Sequence, residues 1–318
     1  MNIKKIGLTA LAASLVSVSA YAGEMSVAGG ASVTIKNNSG TDGGKSITMG
    51  NQLTFSGGGE LDNGLNVALS FVLDHGDNVA SGFDSHSITV SSDSLGSITV
   101  AGDGTGNAQS ALDTTAAGDI WNNGFTHGVA ATAYVAMGGS DAANNKSVNY
   151  TLPTIMDDLS VAVSYSGQTT AVNSTTAFGA TYTGVEGLSV SYGVGEAGST
   201  TATAAADVTT MKASYAIGSF TAAYSNTEND RGSTGIDEEM SSWKLSYTVT
   251  DDLSISYGEE THETSAQTVD EEFDAISVSY TTGGMTITAA QYNAEGLANT
   301  TGSEGEAARW KLSTSFAF

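Results

Sequence analysis

The last ten residues, Arg309 to Phe318, read RWKLSTSFAF and finish on an aromatic side chain. Chain ends are ordinarily polar and frayed, so a terminus closing on a large apolar ring calls for a structural reason. The stretch alternates. Trp310, Leu312, Phe316 and Phe318 share one face of an extended chain, and Arg309, Lys311, Ser313 and Ser315 share the other, because successive strand side chains point to opposite sides.

The same period of two runs through most of the chain. DDLSVAVSYS (157–166) sets Leu159, Val161, Val163 and Tyr165 against Ser160, Ala162 and Ser164. EGLSVSYG repeats it with Leu188, Val190 and Tyr192, GSFTAAYS with Phe220, Ala222 and Tyr224, DDLSISYG with Leu253, Ile255 and Tyr257, and GGMTITAA with Met285, Ile287 and Ala289. Starts at 159, 188, 220, 253 and 285 are 29, 32, 33 and 32 residues apart, the length of one hairpin plus its loop. PTIMDD, GVEG, IGS, TDD and TTGG supply tight turns on one side, and LDNG and SDSLG continue them upstream. Seven tight turns with a strand at each end make sixteen strands, an even number, with both termini on the short-turn side. The loops opposite are long and polar. Short turns at one end and long loops at the other describe an all-β, antiparallel up-and-down transmembrane β-barrel. A secreted sandwich or solenoid also alternates, but its wet face would carry Lys and Glu where these strands carry Ser and Thr.

One spacing departs from the repeat. Ser97 to Leu159 spans 62 residues, and the added segment holds Ile120, Trp121, Phe125 and Tyr134. A loop of that length is usually functional or disordered, and its aromatic content favours function.

Composition bounds the partners. The 318 residues carry 10 basic and 34 acidic side chains, a formal charge of −24, with no Cys. That balance excludes nucleic acid as a partner. MNIKKIGLTALAASLVSVSAYA (1–22) has two early lysines, a short apolar run and a small-x-small end, the pattern of a cleaved signal peptide. Its removal would leave residues 23–318 as a single barrel domain and take the charge from −24 to −26 through loss of two lysines.

Catalytic motifs do not assemble. GGKS lacks the upstream Gly of a phosphate loop, GDGTGN lacks the third Gly of a dinucleotide fingerprint, and no Ser is framed as G-x-S-x-G. His75, His86, His127 and His262 are isolated and read as loop and rim residues rather than ligands. The acidic runs NDRGSTGIDEE and TVDEEFD do not fit a twelve-residue calcium loop, which leaves loosely held divalent cations as the one cofactor expectation.

Three stretches together resemble the Gram-negative general porins, in their alphaproteobacterial form. SLGSITVAGDGTGNAQSALDTTAAGDIW is similar to that family's fifth strand entering its constriction loop, NNKSVNYTLPTIMDDLSVAVSYS to its N-S-V-x-Y-x-x-P hairpin, and ARWKLSTSFAF to its closing strand. The resemblance implies a sixteen-stranded barrel, trimeric, in the cell outer membrane among lipid and lipopolysaccharide, with its third loop folded inward. On that basis about 102–145 is the constriction loop, with Asp103, Asp113 and Asp119 as its acids. Family members often oppose such acids with an arginine cluster. Here eight basic residues remain after the leader, too few for a dense one. Strand parity turns Lys212, Lys244, Arg309 and Lys311 inward instead. The resemblance also implies that Phe318, with Phe316, is the signal read by the barrel-assembly machinery. The expected activity is passive diffusion of small hydrophilic solutes and ions with mild cation preference, and no enzymatic reaction. An outer-membrane barrel enzyme and a surface adhesin without a pore are the alternatives.

Overall fold

In the computed structural model the described residues are 25–38, 44–74, 85–103, 106–125, 127, 147–167, 173–197, 206–231, 236–299, 301–302 and 305–318. The leader, Tyr134 and residues 128–146 of the long third loop lie outside them.

Sixteen strands follow one another: β1 (Ser26–Asn38), β2 (Gly44–Glu60), β3 (Asn66–Asp74), β4 (Ser85–Ser92), β5 (Gly96–Asp103), β6 (Ser147–Thr151), β7 (Leu159–Ser166), β8 (Thr175–Val185), β9 (Leu188–Ala197), β10 (Ala206–Ile217), β11 (Phe220–Asp230), β12 (Glu238–Thr250), β13 (Leu253–Thr264), β14 (Glu271–Thr282), β15 (Met285–Glu295) and β16 (Ala307–Ala317). Each pairs antiparallel with its chain neighbours, and β1 pairs with β16, so the sheet closes. The five repeat starts read from the sequence are the first residues of β7, β9, β11, β13 and β15.

Closure follows from the solvent. A sheet edge facing lipid would leave backbone N–H and C=O groups unpaired at several kcal/mol each, so only a closed barrel can span. The junction runs from Gly30 opposite Ala317 to Asn38 opposite Arg309.

Side-chain alternation then sorts the two faces. Val163, Tyr165, Met211, Leu245, Ile276 and Leu312 are exposed on the outer wall. Aromatic pairs mark that wall at two heights: Phe220 with Tyr247, centroids 4.7 Å apart near the short turns, and Trp243 with Tyr257, 5.6 Å apart further along. The inner hydroxyls satisfy one another across strands, as in Thr89–Thr99 at 2.8 Å, Thr181–Ser191 at 2.8 Å and Ser256–Ser277 at 2.8 Å. Such pairs let a strand face stay polar without carrying charge.

Candidate functional site: a segment lying along the inner wall

After β5 the chain turns inside the barrel. Residues 106–125 and 127 contain two single 3₁₀ turns, Ser110–Leu112 and Ile120–Asn122, and run across the inner faces of β7 to β16. Wall hydroxyls accept from the segment's backbone amides: Ala108 N donates to Ser164 Oγ at 2.9 Å, Ala116 N to Ser225 Oγ at 2.7 Å, and Ala117 N to Ser242 Oγ at 2.9 Å. The Gln109 side-chain amide donates to Thr210 Oγ1 at 2.8 Å. Buried amides must find acceptors, and a Ser/Thr wall offers them at regular spacing.

Three wall glycines give the segment room. A Cβ on Gly179 would stand 2.2 Å from the Ala108 carbonyl oxygen, one on Gly193 3.1 Å from Leu112, and one on Gly258 2.9 Å from Ala117. All three face inward, Gly179 directly opposite Gly193. The far end of the segment rests on a small apolar core inside the barrel, where Ile120 and Phe125 pack with Phe273, Ala294 and Leu297 and Trp121 lies alongside. Burial of such side chains contributes roughly 1.5–3 kcal/mol each.

Charge is distributed along this path in three groups. The first is central. Asp113 and Asp119 lie on the segment, and the Lys212 ammonium donates to the Thr114 carbonyl at 2.6 Å. Lys244 faces inward from β12, opposite Gly258. Asp119 has a left-handed backbone (φ 54°) and accepts from Thr115 N at 3.0 Å, so it shapes the bend as well as carrying charge. The Asp113 carboxyl is pushed up to about 7, by burial first and the Asp119 charge second. Glu260, buried on β13, accepts from the Thr115 hydroxyl and from Trp121 N, the latter at 2.9 Å.

The second group lies at the closing seam. Arg309 donates to the Asn123 carbonyl at 2.9 Å and stacks on Phe125, and Lys311 donates to Asn123 Oδ1 at 2.9 Å. Lys36, directly opposite Lys311 across the β1–β16 junction, joins them around a cavity of about 280 Å³. The expectation of too few bases for a cluster is therefore corrected: scarcity does not prevent gathering, because closure brings the first and last strands side by side. Parity within VTIKNN, with Val33 and Ile35 outward, is the signal that would have found Lys36.

The third group lies toward the long-loop end. Glu271 on β14 meets His127 Nδ1 at 3.2 Å and His262 Nδ1 at 3.7 Å and accepts from Ala298 N at 2.9 Å. Glu238 meets His262 at 3.5 Å and Arg231 at 3.5 Å. His262 is thus no rim residue. It sits fully buried in the wall of β13, because its parity is inward and the segment's end covers it.

Asp103 ends β5, and its side chain lies outside the described residues. Phe316 near the end of β16 and Phe318 just beyond it lie on the outer wall, and Phe318 is 76% exposed.

A barrel of this kind recurs among solved structures. An anion-selective porin from Comamonas acidovorans is 16% identical, with 93% of this chain and 99% of that chain covered and a TM-score of 0.67. A trimer form of OmpT, an outer membrane protein of Vibrio cholerae, is 16% identical over 94% and 100% of the two chains, TM-score 0.68. OmpF of Salmonella typhi, in complex with daunomycin, is 11% identical over 93% and 98%, TM-score 0.70. No curated protein matches significantly. The family model described as Gram-negative porin spans residues 7–318. With the closed sixteen-strand wall and the segment folded along its inside, that match over nearly the whole length places this chain in the Gram-negative porin family.

Proposed function

We propose that the protein is a general diffusion porin, open to small hydrophilic solutes and ions, whose 106–127 segment sets the limiting aperture. The observation carrying this is the segment itself, tied to inner-wall side chains from Ser164 on β7 to Arg309 on β16. A covering so firmly anchored narrows the lumen at fixed positions, and Asp113, Asp119, Lys212 and Lys244 supply its local field. Hydroxyl-lined walls hydrate passing solutes without binding them tightly. Single-channel conductance in planar bilayers tests this, and an absence of conductance steps would favour an adhesin without a pore.

Cation preference is expected to be mild. Asp113 and Asp119 sit in the segment, whereas Arg309 is covered by Asn123 and Phe125. Exposed charges at the mouth are screened over about 8 Å at physiological salt, so the bias comes from the interior. A salt-gradient reversal potential of anion-preferring sign would overturn it.

The same reading includes cleavage of residues 1–22, assembly through the terminal aromatics and a homotrimer. On the outer wall of β1 and β2, Ala31, Gly57 and Gly59 stand as small residues among Ile47, Met49 and Leu53, and would let a neighbouring wall approach closely there. The similar OmpT of V. cholerae is known in a trimer form. Conductance steps in threes would support that assembly.

Divalent cations and lipopolysaccharide belong to the outer rim in this reading. Glu228, Glu239 and Glu263 are cross-strand neighbours on three successive strands, and like charges so placed repel. Among the described residues no three acidic or imidazole groups converge on one metal position, so the cations would be held diffusely beside lipid phosphates. Removal of magnesium and calcium with a chelator would then lower barrel stability without changing conductance.

A further inference from the structure

The seam between the first and last strands gathers positive charge on its inner face. Lys36 and Lys311 are direct cross-strand partners. Like charges so placed destabilise a sheet. Neither ammonium has a carboxylate within ion-pair distance among the described residues. The chain has 34 acids and 10 bases, so an unmatched pair of lysines is improbable as background. Arg309 adds a third cation. It and Lys36 flank the same glycine: a Cβ on Gly124 would stand 2.8 Å from Arg309 Nη1 and 4.0 Å from Lys36 Nζ. Gly124 has φ +81°, a conformation that favours glycine, so any side chain there would be strained and would press on the Arg309 guanidinium. Thr34 and Thr48, paired across β1 and β2, bring hydroxyls to the same cavity.

We propose that this cavity binds a compact oxyanion, of the class of inorganic phosphate or a short carboxylate, and that the bound anion clamps the barrel seam. An oxyanion accepts several hydrogen bonds at once, and charge-assisted ones are about twice as strong as neutral ones. It would neutralise the Lys36–Lys311 repulsion. It would also tie β1 to β16 and, through Asn123, both of them to the inward segment. The site is local: it occupies one wall of the lumen, opposite in sign to the acids near Lys212, and does not require the channel as a whole to prefer anions. The inference rests on the porin reading only in placing the cavity in water.

The test uses the purified, folded protein in detergent. Its unfolding midpoint is followed in potassium phosphate and in potassium chloride at equal ionic strength and pH, so that general screening cancels. A ligand that binds only the folded state raises the midpoint saturably with its concentration. Phosphate is expected to raise it by several degrees. Lys36→Met and Lys311→Met are each expected to abolish that shift, while Lys36→Arg retains it. Gly124→Ala, which intrudes between the cations, provides a variant that keeps every charge and is expected to lose at least tenfold in phosphate affinity. In bilayers phosphate should reduce conductance saturably in the native protein and not in Lys36→Met. A phosphate shift equal to that in chloride, or one unchanged in both lysine variants, overturns the proposal. Conducting channels without a phosphate effect would refute the anion site and leave the porin reading intact. A phosphate shift in a protein without conductance would do the reverse.

Discussion

Gly29 and Phe318 exchange two backbone hydrogen bonds, Gly29 N to Phe318 O at 2.7 Å and Phe318 N to Gly29 O at 3.0 Å. The Phe318 ring lies where a side chain on Gly29 would be, its nearest carbon 2.3 Å from the position of a Cβ. The last residue is thus a full member of the closing ladder, and the first strand is built with a vacancy for its ring.

Deleting Phe318, or filling the vacancy with Gly29→Val, should reduce the yield of assembled barrel, seen as loss of the heat-modifiable band on gels. The channels that do assemble should conduct normally, since both positions are on the outer wall. Normal yield in both variants would show that the terminal ring is dispensable.

Glu260 holds the middle of the inward segment through Thr115 and Trp121. Removing the acceptor of a buried donor costs about 1–3 kcal/mol. Glu260→Ala should free the segment's centre, giving larger and noisier open-channel current. Glu260→Gln, which keeps one carbonyl acceptor, should lie between it and the native protein. Equal currents in all three would mean the segment is held by its amide contacts with Ser164, Ser225 and Ser242 alone.

Glu271 joins three separate parts of the chain: His127 of the inward segment, His262 of β13 and Ala298 of the last loop. Removing the acceptor leaves buried donors unsatisfied at about 1–3 kcal/mol each. Glu271→Ala should therefore raise amide exchange at 125–127 and 297–299 together, while the short-turn end of β14 stays protected. Faster exchange at only one of these places would show that Glu271 does not couple them.

Asp113 sits on the segment with its carboxyl raised to about 7 by burial and by Asp119, against the opposing pull of Lys212. The sign follows directly. Below about pH 6 the group is mostly neutral and Lys212 is less compensated, and above about pH 8 it is mostly an anion. Cation over anion permeability should rise across that interval, and Asp113→Asn should flatten the rise. Because the folded-state value is raised, the folded chain holds a proton that an unfolded chain would release, so this group's contribution to stability falls as pH increases from about 4 to 7.

How much was legible in the sequence depends on range. Alternation is local, so the sixteen strands, their starts at Leu159, Leu188, Phe220, Leu253 and Met285, and the inward parity of Lys212, Lys244, Arg309 and Lys311 could be read from single segments. So could the need for RWKLSTSFAF to close on the first strand, because a lipid solvent allows no open edge, although the register from Gly30–Ala317 to Asn38–Arg309 came from the structure. The aromatic content of the long third segment signalled that it packs, without saying on what.

The inner wall's specificity was decided in three dimensions. Gly179, Gly193 and Gly258 look like weak strand residues until the segment is seen pressing against them. Glu260 and His262 on β13 and Glu271 on β14 carry no local signal of their role, and only the inward-folded loop packed against them makes them its anchors. Lys36 and Lys311 are 275 positions apart in the chain and directly opposed in the barrel. Periodicity fixes which face a side chain takes, since that depends only on its neighbours in the strand. Which side chains meet across the lumen depends on closure, a property of all sixteen strands at once.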